Sequence, residues 1–305
     1  MGVMRVLEFV RRCVRRTNET QPPEHVSCYS LQGLTVLQLY PCQVNAHLGT
    51  TPNIKHIAIG RCYTYITLVN PSLRFDCEEI WRQFEEVVSR QSSCNVTMQD
   101  YHQMFDVMAQ TLPCNKFLFW SKTRALMQSY AAVFKHFWTL EDTLVGYMFN
   151  DLIWCGQDED SGFDFSSCPR WSACNNHPVF SLWRQASQNF AEMACGNITV
   201  LLNGSIANAF NRRSMFGSVE LDSLNPQKVD YVNIKVVTSL EGPHIESCTQ
   251  GSIVDLLQIL HSRGFRWTCT DSDQKLLILM CIQDPNRTFC QNFTNNFELR
   301  SLTSI

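Results

Sequence analysis

Apolar side chains recur at helical spacing along several stretches of the chain. Between Asp76 and Arg90, the residues Ile80, Phe84, Val87 and Val88 fall on one face of a helix. Thr139-Leu-Glu-Asp142 reads as a capping box with Asp in the usual place of Glu, and it opens a helix whose apolar positions include Leu144, Val145 and Met148. Pro178 suits the first turn of another helix. That helix runs to about Cys195, with Leu182, Trp183, Ala186, Phe190 and Ala194 on one side. Ser252 to Arg263 forms a fourth, stopped by Gly264. Four short β-branched or aliphatic runs, bounded by Asn, Gly, Pro or Ser, mark strands at Lys116–Trp120, Ile198–Leu202, Val232–Thr238 and Leu276–Ile282. Helices separate these strands, which favours a small, mostly parallel sheet. The expected fold is α+β or α/β with two lobes. One is mainly helical and the other holds the sheet flanked by helices, with the cleft between them as the default ligand site.

Composition narrows the setting. A hydrophobic fraction of 45% and a charged fraction of 17% describe an ordinary globular chain rather than a disordered one. The net charge of -3 implies no broad cationic surface, so nucleic acid is not the expected partner. Of 15 cysteines, the three at Cys13, Cys28 and Cys42 precede the globular region, and the remaining even number lies between Cys62 and Cys290. Such a set suggests disulfides made in an oxidising compartment. Reduced thiols or zinc ligands are the other reading, but no CxxC pair occurs. Sequons at Asn18, Asn95, Asn197, Asn203, Asn286 and Asn292 also point to the secretory route. Against this, residues 1–60 show no apolar run long enough to span a membrane and no signal peptide, and residues 296–305 show no tail for a lipid anchor. Residues 1–57, with Pro22-Pro23 and little periodicity, are expected to form a poorly ordered extension, and globular sequence begins at Ala58.

The chemistry is not carried by any common fingerprint. The chain has no GxGxxG, P-loop, HExxH or GxSxG, and its histidines are scattered, so metal catalysis has little support. What remains is a set of acids and tryptophans: Glu141, Asp142 and Glu220 with Trp120, Trp171 and Trp183. Carboxylates suit a reaction that builds positive charge on a sugar carbon. Aromatic rings suit a flat cationic heterocycle such as nicotinamide in NAD. Each also has an ordinary structural explanation. A lone Glu after an apolar run is commonly a solvated strand end, a Trp on a helix face is commonly core, and acids in a first turn complement the helix dipole.

The combination is more specific than its parts. Pro113-Cys-Asn-Lys116 with Trp120-Ser, Thr139-Leu-Glu-Asp-Thr143 with Gly146-Tyr147, Trp154-Cys-Gly156, Cys168-Pro-Arg-Trp171, Asn203-Gly-Ser205 and Phe216-Gly-Ser-Val-Glu220 together resemble the ADP-ribosyl cyclase family, from about Arg61 to Cys290. The resemblance implies the disulfides Cys62–Cys77, Cys94–Cys174, Cys114–Cys195, Cys155–Cys168, Cys248–Cys269 and Cys281–Cys290. It implies a helical lobe of residues 58–113 and 138–189, an α/β lobe of 114–137 and 190–290, and a tail from 291 to 305. It implies cleavage of the nicotinamide–ribose bond of NAD, or base exchange on NADP, with no cofactor or metal. The products would be ADP-ribose and cyclic ADP-ribose, with hydrolysis of cyclic ADP-ribose as a further activity.

By the same resemblance, Glu220 is the essential carboxylate, Trp183 stacks on substrate and Trp120 lines the pocket. Glu141 would contact nicotinamide, with Asp142 beside it. Ser121, Lys122 and Ser187 would lie near the phosphates, helped by the Phe216 backbone. Two positions depart from the family pattern: Asn150 replaces an Asp near the nicotinamide, and Met215 stands where hydrolytic members carry Thr and the strongly cyclising one Phe. The resemblance further implies an extracellular or cell-surface location, and it is compatible with N-terminal membrane anchorage and a homodimer. An inactive receptor or adhesion relative is the competing reading. A retaining glycosidase would need a second carboxylate roughly 5 Å away, and no spacing singles one out.

Overall fold

The computed structural model describes residues 27–28, 40–41, 49–89, 94–134, 137–157, 161–238, 242–271 and 273–291. The sequons at Asn18 and Asn292, Arg90, Cys13, Cys42 and the tail beyond 291 lie outside the described residues. The chain divides into a unit of residues 1–48 and a unit of residues 49–305. In the first, β1 (Ser27–Cys28) pairs antiparallel with β2 (Tyr40–Pro41). The second unit begins ahead of the boundary expected at residue 57. Thr50 and Ile54 are already buried, and α1 spans Ile54–Thr64.

The helical core is built by α1, α2 (Cys77–Ser89), α3 (His102–Val107), α5 (Leu144–Phe149) and the first half of α6 (Pro178–Met193). In α2 the expected stripe of Ile80, Phe84 and Val88 is buried and Trp81 joins it. The Phe84 ring packs on Phe149 at 4.6 Å and on Trp154 at 5.2 Å between centroids.

The sheet has the order β3-β4-β5-β6, all parallel, with β3 at Leu118–Ser121, β4 at Gly196–Asn203, β5 at Val229–Val237 and β6 at Trp267–Asp271. One face buries Ile198, Val200, Leu202, Val232, Ile234 and Val236 against Phe190 and Ala191 of α6 and Ile253, Leu256 and Leu260 of α8 (Ser252–Ser262). The other face has a smaller cover. Leu118, Leu201 and Val237 meet Met127 and Tyr130 of α4 (Arg124–Phe134) and Leu276 and Leu279 of α9 (Gln274–Gln283). Helices on both sides are what a parallel sheet requires. Helix α6 serves both cores, burying Val179, Leu182 and Ala186 in the helical one and Phe190 and Ala191 in the other.

Two expectations are corrected. Leu276–Ile282 is helix, not strand: it lies within α9, where Asp273 caps the first turn by accepting from the Lys275 and Leu276 amides. A continuous apolar run does not separate a buried strand from a buried helix. The fourth strand is instead β6, whose residues are mostly exposed and show no apolar run. The capping box also acts differently. Asp142 and Thr139 close a 3-10 turn over Leu140–Asp142, and α5 has its own cap, the Thr143 hydroxyl accepting from the Gly146 amide at 3.2 Å. All six disulfides implied by the resemblance are formed.

Candidate active site

A cleft of about 660 Å³ opens at the carboxyl end of β3, and the carboxyl ends of strands are where parallel sheets commonly receive ligands. Its lining includes Trp120, Ser121 and Lys122 from the end of β3, Glu141 from the 3-10 turn, Trp183 and Ser187 from α6, and Met215, Phe216 and Glu220. Asn150 also lines it. Asp142 does not. Its carboxylate accepts from the Thr139 amide at 2.9 Å and hydroxyl at 2.8 Å, so it fixes the turn that presents Glu141.

Glu220 ends a single π-helical turn, Phe216–Glu220, that runs into the short helix α7 (Leu221–Ser223). Such turns are rare and concentrate at functional sites. The turn is tightly seated: a Cβ on Gly217 would come within 2.2 Å of the Asn211 carbonyl oxygen. Arg212 donates to the Gly217 carbonyl and to Asp222, and Arg263 donates to the Leu221 carbonyl and to that of Leu224 at 2.9 Å. Cations at the open carbonyl end of a helical turn satisfy it and suit its dipole.

The Glu220 carboxyl is only 8% exposed. Ser187 donates its hydroxyl to Glu220 Oε1 at 2.9 Å. Burial pushes the Glu220 carboxyl up to about 8; the Ser187 hydrogen bond opposes the rise, and the nearby Glu141 charge adds to it. Glu141 is raised as well, by burial first, with Trp120 and the Arg124 charge pulling it partly back. Its Oε2 is buried and has no hydrogen-bond partner among the described residues. Two carboxyls that resist ionisation and feel one another in a cleft are an arrangement expected of a functional site. Gly146 lets this pairing form: a Cβ there would strike the Leu140 carbonyl at 2.1 Å and the Glu141 Cα at 2.6 Å.

The rim holds Arg124 and Ser214, which the sequence reading did not assign to the site, and Trp171, which it named only among the candidate tryptophans. Arg124 donates to Asn150 Oδ1 at 3.0 Å and to Asp151 at 2.8 Å, across the mouth of the cleft. Exposed Trp171 stands 6.0 Å from the Phe180 ring. Ser214 also lines the cleft. Arg124 could have been found from topology, because ligand-facing side chains gather just beyond the ends of parallel strands. Lys122 sits there too, at φ 58°, with its ammonium on the Asn208 carbonyl at 2.9 Å. His177, 1% exposed, caps α6 by accepting from the Val179 amide at 3.2 Å, and burial holds its pKa below the usual histidine value. Among the described residues no cluster of three or more metal-ligating side chains occurs.

Comparison with known proteins agrees with this geometry. A family model described as ADP-ribosyl cyclase matches residues 51–290. ADP-ribosyl cyclase/cyclic ADP-ribose hydrolase 1 of Mus musculus is 37% identical over 263 residues, covering 85% of this chain and 86% of its own. The enzyme of Aplysia kurodai is 33% identical, covering 88% of this chain and 96% of its own. Porcine CD38, solved with a covalent intermediate, superposes with a TM-score of 0.71 at 38% identity, over 74% of this chain and 98% of that one. Aplysia cyclase, solved with its substrate NGD and product cGDPR, gives 0.75 at 32% identity, over 80% and 98%. With the fold of these enzymes, a family model matched across the whole globular region and a buried carboxyl on the wall of one cleft, the chain belongs to the ADP-ribosyl cyclase family.

Proposed function

We propose that the cleft cleaves the nicotinamide–ribose bond of NAD, with Glu220 as the catalytic carboxylate. The chain is an NAD glycohydrolase and ADP-ribosyl cyclase, and the observation that carries the assignment to Glu220 is its placement: buried, tethered by Ser187, in the cleft that Trp120 and Trp183 also line. The bond between C1′ and the pyridinium nitrogen breaks with its electron pair, so nicotinamide leaves neutral and the ribose gains oxocarbenium character. An anion already held beneath the sugar stabilises that charge without reorganising. The pyridinium of bound NAD draws the Glu220 proton off, because an opposite charge favours the ionised form.

The remaining lining has consistent tasks. Trp183 and Trp120 stack on the flat rings of the substrate. Glu141 contacts the nicotinamide end, with Asn150 nearby. Ser121, Lys122 and the backbone at Phe216 hold the phosphates. Met215, on the wall beside Phe216, biases the fate of the sugar cation. Attack by water gives ADP-ribose, attack by the adenine ring gives cyclic ADP-ribose, and another pyridine gives base exchange. The substrate itself supplies the leaving group and the charge, so these steps call on no cofactor. Six disulfides support folding in an oxidising compartment, and we assign the chain to the secretory route and the cell exterior.

The test is product analysis after incubation with NAD, beside Glu220→Gln. Native protein is expected to release nicotinamide, and the variant to lose about 10²-fold or more of that rate, the usual effect of removing a preorganised electrostatic group. Correctly disulfide-bonded native protein that releases no nicotinamide would sink the catalytic reading and favour a binding relative.

A further inference from the structure

The outer face of the sheet is only half covered. Helices α4 and α9 lie over Leu118, Leu201 and Val237, and Thr199, in register with Leu118, is buried as well. Toward the amino ends, the residues that share this face are Asn197 on β4, Tyr231 and Asn233 on β5, and Thr268 on β6, as the strand register requires. They line or adjoin a polar groove of about 370 Å³ that includes Thr199, Asn233 and Thr268. Parallel sheets seldom leave a face to solvent, so this half lacks the cover that its architecture calls for.

The sequon Asn197-Ile-Thr sits at the edge of that open half. The Asn197 side chain is exposed, and its amide makes no hydrogen bond among the described residues. Its backbone is fixed by its amide donating to Asn115 Oδ1 at 2.8 Å. Directly opposite in register on the neighbouring strand is Tyr231, 38% exposed. One side of that ring carries the Arg266 guanidinium, 4.6 Å from the centroid. Paired positions on adjacent strands bring their side chains within contact range. A flat aromatic surface suits the apolar C–H face of a sugar ring.

We propose that Asn197 carries an N-linked oligosaccharide whose first sugar packs on Tyr231 and whose next sugars cover the open part of the sheet over Asn233 and Thr268. The glycan then acts as a structural layer, in the position that a helix occupies over the rest of this face. The inference rests on the secretory assignment above, but not on the catalytic one.

The test uses the full chain produced in cultured animal cells. Peptide mass spectrometry after enzymatic release of N-glycans scores each sequon, with the exposed Asn95 and Asn286 as internal references. Asn197 is expected to be modified in most molecules. Enzymatic deglycosylation of the folded protein should lower its Tm by about 2–4 °C, and the drop should largely vanish in Tyr231→Thr, which keeps a good strand former. An unmodified Asn197 beside a modified Asn95 or Asn286 overturns the proposal. So does an equal drop in the native and Tyr231→Thr proteins. A chain with no modified sequon removes the secretory assignment and this proposal together, while leaving nicotinamide release to be judged separately.

Discussion

At the scale of single residues, Glu220 holds a proton that an ordinary glutamate would have lost. Its carboxyl, raised to about 8, binds a proton in the folded chain across a range where the unfolded chain does not. Stability from this group is therefore complete below the ordinary glutamate value and is lost as pH rises toward about 8. Glu220→Gln removes the penalty of burying the charge. The variant should melt above native protein at pH 8 to 9, by an amount that shrinks toward pH 5, measured by thermal denaturation across that range. Ser187→Ala removes the one hydrogen bond that favours the ionised form. Its pH profile of kcat/KM should shift its acid limb to higher pH, while secondary structure by circular dichroism stays unchanged. An unshifted limb would mean that Ser187 does not tune Glu220.

Little of this was legible in local sequence. Glu220 follows Met215-Phe-Gly-Ser-Val219 and looks like a solvated strand end; only the ordered set of motifs marked it out. Its burial is made by α6 and by the Glu141 turn, both distant in sequence, and no periodicity records such neighbours. Asp142 was legible as a cap, and its carboxylate is used for that rather than at the cleft.

At the scale of elements, two glycines set how closely the acid-bearing turns approach their supports. A Cβ at Gly217 has no room against the backbone at Asn211. Gly217→Ala should destabilise by about 1–3 kcal/mol, the common cost of forcing an atom into a packed site. It should also lower kcat, because Glu220 lies on the same π-helical turn. Equilibrium urea unfolding and steady-state kinetics read the two effects, and a stable variant with native kcat would show that the turn relaxes freely. Periodicity located α2, α6 and α8 and the strands β3, β4 and β5, because their apolar faces are broad. It failed at α9 and β6. The first is apolar almost throughout, so its period is blurred, and the second is an exposed edge with nothing to repeat.

At the scale of the molecule, α6 belongs to both hydrophobic cores and carries Trp183 and Ser187 at their junction. The cleft is thus tied to a rigid shared element, and adjustments to substrate fall to the rim, where Arg124 meets Asn150 and Asp151. Reduction should act on the same scale. Cys94–Cys174 and Cys114–Cys195 close loops with separations of 80 and 81 residues, and each contributes about 4 kcal/mol in the chain-entropy description. Reductant strong enough to open both should lower the Tm and abolish NAD cleavage together, as followed by thiol labelling and nicotinamide release.

Those two loops overlap rather than nest, since the second opens inside the first and closes beyond it. Between residues 94 and 195, every peptide bond is therefore spanned by at least one covalent bridge. A protease that nicks the chain there produces two polypeptides but not two molecules. Where the cut falls between Glu141 and Cys195, Glu141 and Glu220 sit on separate pieces that remain bolted across the same cleft. Such a cut appears on a reducing gel and not on a non-reducing one, and the nicked enzyme should continue to release nicotinamide.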